Sequence, residues 1–374
     1  MVNFPLVYIL FLVFCLSALV SILLVLVFPL RLSIYKRVQQ KDEVDKPPVS
    51  MIICAQNEYR NLLELLPLLF EQDYPEFEVI LVDDGSTDDT TFLLQDFVKS
   101  EPRLHIIELT ESVKNKQGKK FALMMGLKGA KYDHVLLTDA DCRPASKLWI
   151  QKMVRGFSKE KEIVLGFSPY QKYGGFLNLF IRFETFMTAS NYFSFALAKV
   201  PYMGVGRNLS YHKHLFFDNK GFSSHIHLMS GDDDLFINQV ANSSNTAIEL
   251  DPDTFVYSKP KRSFSDYLHQ KTRHLSVGKF YKPLHKNLLT LPIVFNFIVF
   301  LSFTVLMVLH QYFLVSVGIF SFYILLVWII YYSISRKLRD PILGIAFPFL
   351  WILYHLYLLG MSFSGLFYKA KTWK

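Results

Sequence analysis

Four stretches of this chain carry no charged residue: Phe4 to Leu30, Leu288 to Leu309, Gln311 to Ser335 and Pro341 to Tyr368. Each exceeds the roughly 20 residues that cross a bilayer as a helix, and backbone in hydrocarbon has to satisfy its own polar groups, which restricts such stretches to helices. Only 19% of the residues are charged, so the runs push nearly all of that charge into the segment between them. The chain reads as an integral membrane protein with a polar middle large enough to hold its own core.

The flanking charges orient it. Met1 to Asn3 contain no Lys or Arg, the first run is longer than the apolar core of a signal peptide, and no small-x-small cleavage site follows, so the run is read as an uncleaved anchor. Arg31, Lys36, Arg37 and Lys41 follow it, and Arg336, Lys337 and Arg339 follow the third run. Positive flanks face the cytoplasm, which puts the polar middle there and the His310-Gln311 turn on the far side. The last run contains Pro348, His355, Gly360 and Gly365 and leads to Lys369, Lys371 and Lys374. It is one span, or a short re-entrant or interfacial piece followed by another helix. The expected organisation is an anchor with a basic linker over 1–46, a cytosolic domain over 47–286 and a membrane region of about three helices over 287–374. A multi-pass protein of a cell membrane, the bacterial cytoplasmic membrane above all, fits that plan.

The net charge of +8 does not point to nucleic acid as a partner. Several of the basic residues sit at membrane flanks, where they meet anionic head groups, and no recognition-helix or RNA-stacking motif is present. Cys15, Cys54 and Cys142 form neither a disulfide framework nor a metal-binding spacing.

From Pro47 to about Pro283 strands alternate with helices. Val49–Ala55, Phe77–Asp84, Leu104–Leu109 and His134–Ala140 are buried apolar runs of strand length, while 59–72, the stretch after Asp88 and 118–130 have helical spacing. Alternation of this kind predicts an α/β domain with a mostly parallel sheet, whose ligands bind beyond the carboxyl ends of the strands. Asp83, Asp84, Asp139 and Asp141 stand at such ends.

Three acidic clusters follow in order. In VDDGSTDD (Val82 to Asp89), Gly85 can make a turn and Ser86 or Thr87 can cap the next helix, but turn chemistry does not account for two adjacent carboxylates. In TDADC (Thr138 to Cys142), Asp139 and Asp141 are two apart, so on extended backbone both side chains face one way and can share a hard divalent cation. SGDDD (Ser230 to Asp234) opens a helix with apolar positions at Leu235, Phe236, Ile237 and Val240. Acidic residues suit a helix start, yet three crowded carboxylates also raise one another's pKa and can yield a general base near neutrality.

Basic and polar groups complete the pattern. Gln270, Arg273 and His274 of QKTRH share a helix face, from which an arginine can grip phosphate oxygens. Gln117 to Lys120 (QGKK) place backbone amides and Lys119 at a helix start, a natural anion site. The aromatic segment Phe176 to Ala196 is either an amphipathic helix on the membrane surface or a large core helix. His212 and His214, with His225 and His227, form two His-x-His pairs. Without Cys or a third nearby ligand these are read as loop or interface histidines.

Together the ordered motifs resemble the family 2 glycosyltransferases over about Pro47 to Phe280. The resemblance implies a GT-A (nucleotide-diphospho-sugar transferase, Rossmann-like) domain flanked by transmembrane helices. It also implies an inverting, hexosyltransferase-type activity with a UDP-sugar donor and a divalent cation, Mg2+ or Mn2+. AQNE (Ala55 to Glu58) is similar to the family's first-strand motif, which assigns Asn57 and Glu58 to the nucleotide. Asp84 matches the carboxylate that contacts the base. GKKFAL (Gly118 to Leu123) is similar to GKxxAL, and Lys119 falls in it. Asp139 and Asp141 match the metal-binding DxD, with Asp139 also beside the donor. GDDDLF stands where the family reads G-E-D, which makes Asp233 the base and puts Asp232 in the Glu position. Gln270 and Arg273 match the first part of QxxRW, but His274 replaces the tryptophan on which an acceptor sugar would rest, so a processive polysaccharide synthase stays an alternative. GVGRNLSYHK (Gly204 to Lys213) resembles the acceptor-side loop, with Arg207 or Asn208 lining it. The implied acceptor is a lipid, a lipid-linked sugar or a saccharide. A sugar-phosphate nucleotidyltransferase would carry a G-x-G-T loop where this chain reads AQNEYRN, and a non-catalytic membrane scaffold would have shed Asp139, Asp141 or Asp233. The donor sugar, the number of transfers and the oligomeric state are not encoded in any of these motifs.

Overall fold

The computed structural model describes residues 4–36, 46–109, 118–228 and 230–367, with side chains through 361. Met1 to Asn3, Arg37, Lys41, Gln117, Tyr368 and the tail lysines Lys369, Lys371 and Lys374 lie outside the described residues.

The amino-terminal run forms α1 (Phe4–Val27) and, after Phe28, α2 (Pro29–Ile34). The polar middle then alternates β1 (Val49–Ala55), α3 (Tyr59–Phe70), β2 (Phe77–Asp83), α4 (Thr90–Ser100), β3 (Leu104–Glu108), α5 (Lys119–Gly129) and β4 (His134–Asp139). Every residue of β1 and β2 is buried, as continuous apolar runs require of strands covered on both faces. The order β3-β2-β1-β4 is parallel throughout. Helix α5 lies close against it, since a Cβ on Gly126 would come within 2.5 Å of the Ile52 side chain.

Past β4 the sheet becomes mixed. After β5 (Cys142–Pro144), α6 (Trp149–Val154), β6 (Ile163–Leu165) and α7 (Phe176–Leu197), strand β7 (Leu209–His212) runs antiparallel to both β4 and β6. Helices α8 (His214–Asp218) and α9 (Asp234–Val240) lead to β8 (Thr246–Ile248), which pairs with β6 in parallel. β9 (Val256–Ser258) joins β5 in a separate two-stranded ribbon, and α10 (Phe264–Leu275) closes the polar middle.

The carboxyl-terminal part is α11 (Pro283–Val308), α12 (Phe313–Lys337), the short α13 (Pro341–Ile345) and α14 (Phe347–Phe367). Among the described residues, three helical segments are long and apolar enough to cross a membrane: Pro5–Ile34, Pro283–Val308 and Phe313–Lys337. The last apolar run is broken at Ala346 into a short helix followed by a longer one.

Of the two readings of the aromatic segment, the core helix is what forms. In α7 the residues Phe180, Phe183, Phe186, Phe193 and Phe195 are all buried, and the helix packs on α2, α13, α14 and β8. It therefore joins the α/β domain to the apolar helices. Arg182 on α7 donates to Asp340 Oδ2 from Nε at 3.0 Å, and Lys172 Nζ lies 3.4 Å from Asp340 Oδ1. Asp340→Ala would leave a guanidinium that is 8% exposed without its carboxylate, which costs about 3–5 kcal/mol. Thermal unfolding of the full chain in detergent is expected to shift down accordingly, and an unchanged midpoint would show that this contact does not hold the two parts together.

Candidate active site

Because β1, β2 and β4 are parallel neighbours, their carboxyl ends deliver Gln56 to Glu58, Asp83 to Asp84 and Asp139 to Asp141 to one sheet edge. Side-chain chemistry then separates those that shape the edge from those that face its cavity. Asp83 Oδ1 accepts from Ser86 N at 2.9 Å and Ser86 Oγ at 2.6 Å, while Oδ2 accepts from Thr91 Oγ1 at 2.8 Å. One of the two adjacent carboxylates is thus taken up by the loop itself. Neither Ser86 nor Thr87 caps the next helix: its N-cap is Asp89, and Asp88 Oδ1 accepts from Thr90 N at 3.1 Å.

Asn57 sits at a φ of 55°, with Oδ1 accepting from Thr87 N at 2.7 Å and its own N donating to Ser86 Oγ at 2.9 Å. It ties the β1 turn to the β2 loop. Asp84 is 8% exposed, and its backbone carbonyl accepts from Gln56 Nε2 at 2.9 Å. The cavity wall here consists of Cys54, Gln56 and Glu58, and neither Asn57 nor Asp84 lines it.

The backbone after Asp139 does not stay extended. Ala140 and Asp141 form a turn between β4 and β5, yet Asp139 and Asp141 line the same cavity. Lys119, at the start of α5, lies 2.5 Å from Asp139 Oδ1 and 3.4 Å from Asp232 Oδ2. Burial works against its charge, but those carboxylates outweigh burial and lift its pKa well above the usual lysine value. Lys120 points elsewhere, donating to the carbonyls of His225 at 2.6 Å and Leu228 at 3.0 Å. It braces the loop ahead of the third cluster.

Asp141 has weaker company. Its oxygens meet Cys142 Sγ and Ser258 Oγ at 3.5 Å each, and burial followed by the Asp139 charge pushes its carboxyl up. A half-buried carboxylate raised in this way beside a second one fits a divalent cation, whose charge would relieve both. Arg207 also lines this wall, its guanidinium 4.5 Å from the Tyr170 ring centre and its buried Nη1 without a hydrogen-bond partner among the described residues. Asn208 does not line it. Its amide is fully buried, donating to Phe167 O and Thr254 O and accepting from Trp149 Nε1.

The third cluster forms the start of α9 as its sequence implies. Gly231 makes the turn at a φ of 96°, where a Cβ would also fall 2.5 Å from Leu235 Cδ1. Asp233 is the N-cap, with Oδ1 accepting from Asp234 N and Oδ2 from Gly206 N, each at 2.7 Å. Burial and then the neighbouring Asp232 push Asp233 up to about 6; burial and then Asp233 push Asp234 up to about 7. Burial also acts on Asp232, but Lys119 overrides it and holds that carboxyl low. Tyr281 OH donates to Asp234 Oδ2 at 2.7 Å. Gln270, Arg273 and His274 on α10 face the same space, as does Lys271, which is ion-paired with Glu184 of α7. Tyr281 and the Lys271–Glu184 pair have no signature in the sequence, because nothing local announces them.

These groups surround one cavity of about 900 Å3. Its upper wall is the carboxylate edge of the sheet. Its lower wall is Leu24 and Val25 of α1, Thr188 of α7, Leu289 and Ile293 of α11, and Tyr354 of α14.

A parallel β3-β2-β1-β4 sheet extended by an antiparallel strand, with paired carboxylates at the carboxyl end of β4, defines the GT-A class of nucleotide-diphospho-sugar transferases. Residues 50–214 match the family model Glycosyl transferase family 2, and the chain carries a domain of that family. The chain is similar to the poly-beta-1,6-N-acetyl-D-glucosamine synthase of Staphylococcus epidermidis, at 33% identity over 93 residues, covering 25% of this chain and 21% of that protein. It is also similar to the putative teichuronic acid biosynthesis glycosyltransferase TuaG of Bacillus subtilis, at 30% identity over 125 residues, covering 33% and 47%. The matched segments thus span less than half the length of these curated relatives. Among solved structures, the mannosyltransferase PcManGT from Pyrobaculum calidifontis, in complex with GDP-Man and Mn2+, has a TM-score of 0.62 at 18% identity, covering 96% of this chain and 99% of that one. That likeness shows the fold.

Proposed function

We propose that the chain is a membrane-bound, inverting glycosyltransferase that moves a sugar from a UDP-sugar to a hydroxyl group of a lipid, lipid-linked or saccharide acceptor, a lipid or lipid-linked one above all. The observation that carries this reading is the single cavity: donor-type groups line its top and apolar helices line its base.

In the proposed reaction Asp233 takes the proton of the acceptor group, the acceptor oxygen bonds to the anomeric carbon, and the bond from that carbon to the diphosphate breaks on the opposite face. Configuration at the carbon therefore inverts. Lys119 and Arg273 meet the charge that builds on the departing diphosphate, and Arg207 adds a third cation to that wall. Asp139 and Asp141 would hold Mg2+ or Mn2+, which when bound neutralises diphosphate charge as a Lewis acid. Glu58 and Asp84 are assigned to the nucleotide side, Asn57 to the shape of the loop beneath it, and Gln270 to the acceptor side.

The membrane placement follows from the same geometry. The end of α12 meets the end of α2, with Lys337 Nζ donating to Tyr35 O and Ser333 Oγ to Ser33 O, so Arg31, Arg336 and Lys337 gather at the face that carries the α/β domain. By the positive-inside rule this face is cytoplasmic, where nucleotide sugars are made. The domains are taken as 1–46, 47–286 and 287–374, in a cell membrane such as the bacterial cytoplasmic membrane. A processive polysaccharide synthase is the second reading, favoured by the relative named poly-beta-1,6-N-acetyl-D-glucosamine synthase.

Filling the base of the cavity tests the acceptor. Thr188→Trp and Ile293→Trp are expected to leave UDP-sugar binding intact and lower transfer to membrane-extracted lipid at least about tenfold, a block confined to the acceptor side. Unchanged transfer in both variants would remove the lipid acceptor from the account.

A further inference from the structure

At the opposite end of β4 from Asp139 and Asp141, three chain segments bring together Asp133, His212, His214 and Glu162. Because β7 runs antiparallel to β4 and β6, its end lies beside their starts: His212 pairs with His134, and His212 N donates to Glu162 O at 3.0 Å. The third ligand missing from the His-x-His reading is Asp133. His225 and His227 take no part.

We propose that Asp133, His212 and His214 form a second metal site, for a borderline divalent transition metal such as Zn2+, separate from the cation of the transfer reaction. His212 Nδ1 lies 2.8 Å and His214 Nδ1 3.4 Å from the same oxygen, Asp133 Oδ2, and the three ligand atoms fall within 4.8 Å of one another. Ligand atoms at about 2.0–2.1 Å from a tetrahedral Zn2+ stand roughly 3.3 Å apart, so small side-chain shifts suffice to accommodate the ion. Two imidazole nitrogens and one carboxylate suit Zn2+, Cu2+ or Ni2+ better than Mg2+ or Ca2+, which favour oxygen donors.

A second observation points the same way. His214 Nε2 lies 3.0 Å from Glu162 Oε1, the carboxylate–histidine pairing that orients ring nitrogens toward metals. With its proton on Nε2, a neutral His214 turns the bare Nδ1 lone pair toward Asp133 Oδ2. Either a second proton or a metal ion has to stand between them. The backbone holds the cluster ready: Lys213 N donates to Asp133 O at 2.7 Å and His214 N to Asp133 Oδ1 at 3.3 Å. Lys213 Nζ is drawn away to Ala130 O at 2.6 Å, which keeps its charge off the ligands. The side chains of Asp133 and His214 are 48% and 44% exposed, so ion and water have access. With β4 running six residues at about 3.3 Å each, the site lies on the order of 20 Å from the carboxylate edge.

The test uses the full-length protein in detergent without a polyhistidine tag, stripped with chelator, equilibrated with Zn2+, desalted and measured for metal per chain. Wild type is expected to retain one Zn2+ more than His212→Ala/His214→Ala, to keep it in Asp141→Ala, and to give Co2+ ligand-field absorption that the double variant lacks. Asp133→Asn, which preserves shape, is expected to lose the ion as well, and Glu162→Gln to weaken it about 10–100-fold. Equal Zn2+ in wild type and either Asp133→Asn or the double variant would overturn the site and leave protonated imidazoles as the explanation of the cluster.

Discussion

Replacing Asp233 by Asn is expected to lower transfer by about 100- to 10,000-fold while donor affinity stays close to wild type, because the change removes proton acceptance and, with it, one of the two backbone hydrogen bonds to this side chain. Asp233 is the carboxylate that burial and Asp232 push up to about 6, and it is held in place by the Gly206 and Asp234 amides. The sign of the pH dependence follows. Below about 6 the carboxyl carries its own proton and cannot take the acceptor's; above it the anion is available. Wild-type kcat/KM should therefore climb with pH through about 6 to 7, the range spanned by Asp233 and Asp234, and then level off. The residual rate of Asp233→Asn should lack that limb. A full acidic limb in the variant would move the role of base to Asp234, whose carboxyl already accepts from Tyr281.

Removal of the cation is the second large effect. Chelation, or Asp141→Ala, is expected to reduce turnover by roughly a thousandfold or more, corresponding to the several kcal/mol that a Lewis acid contributes at a departing diphosphate. Donor binding should weaken in parallel, which separates this variant from Asp233→Asn. Lys119 is expected to provide part of the residual activity, since it already sits against Asp139 and Asp232. Restoring Mn2+ or Mg2+ should rescue wild type and not Asp141→Ala. Rescue of both, or full activity in chelator, would remove Asp141 from cation binding.

What the sequence revealed and what it hid divide along a physical line. That Asp139, Asp141, Asp233, Gln270 and Arg273 line one cavity was legible because each sits in or beside an element whose geometry is local: a strand end and the turn after it, a helix start, one face of a helix. The strand–helix alternation was legible for the same reason, and β1 to β4 form where apolar runs predict them. The mixed half of the sheet was not, since β6 and β8 are only three residues long and carry little pattern. Asp83 and Asn57 illustrate a second limit. Both occupy motif positions, yet their side-chain oxygens are taken up by Ser86, Thr91 and Thr87, hydroxyls and amides that only the folded loop brings within reach. Tyr281 on Asp234, Glu184 on Lys271 and Asp133 between His212 and His214 are longer-range versions of that limit. Each is an unremarkable residue until the chain around it has folded.

The central claim is that this cavity transfers a sugar from a nucleoside diphosphate to an acceptor held by the membrane helices. The most direct measurement incubates the purified full-length protein in lipid extract with radiolabelled UDP-sugars, and GDP-sugars for comparison, in the presence of Mn2+ or Mg2+, and follows label into the organic phase. The account predicts cation-dependent release of nucleoside diphosphate from one donor, with matching label in an extractable lipid, both lost in Asp233→Asn and Asp141→Ala. Label accumulating only in water-soluble or insoluble polymer, or no donor turned over by wild type, would contradict it.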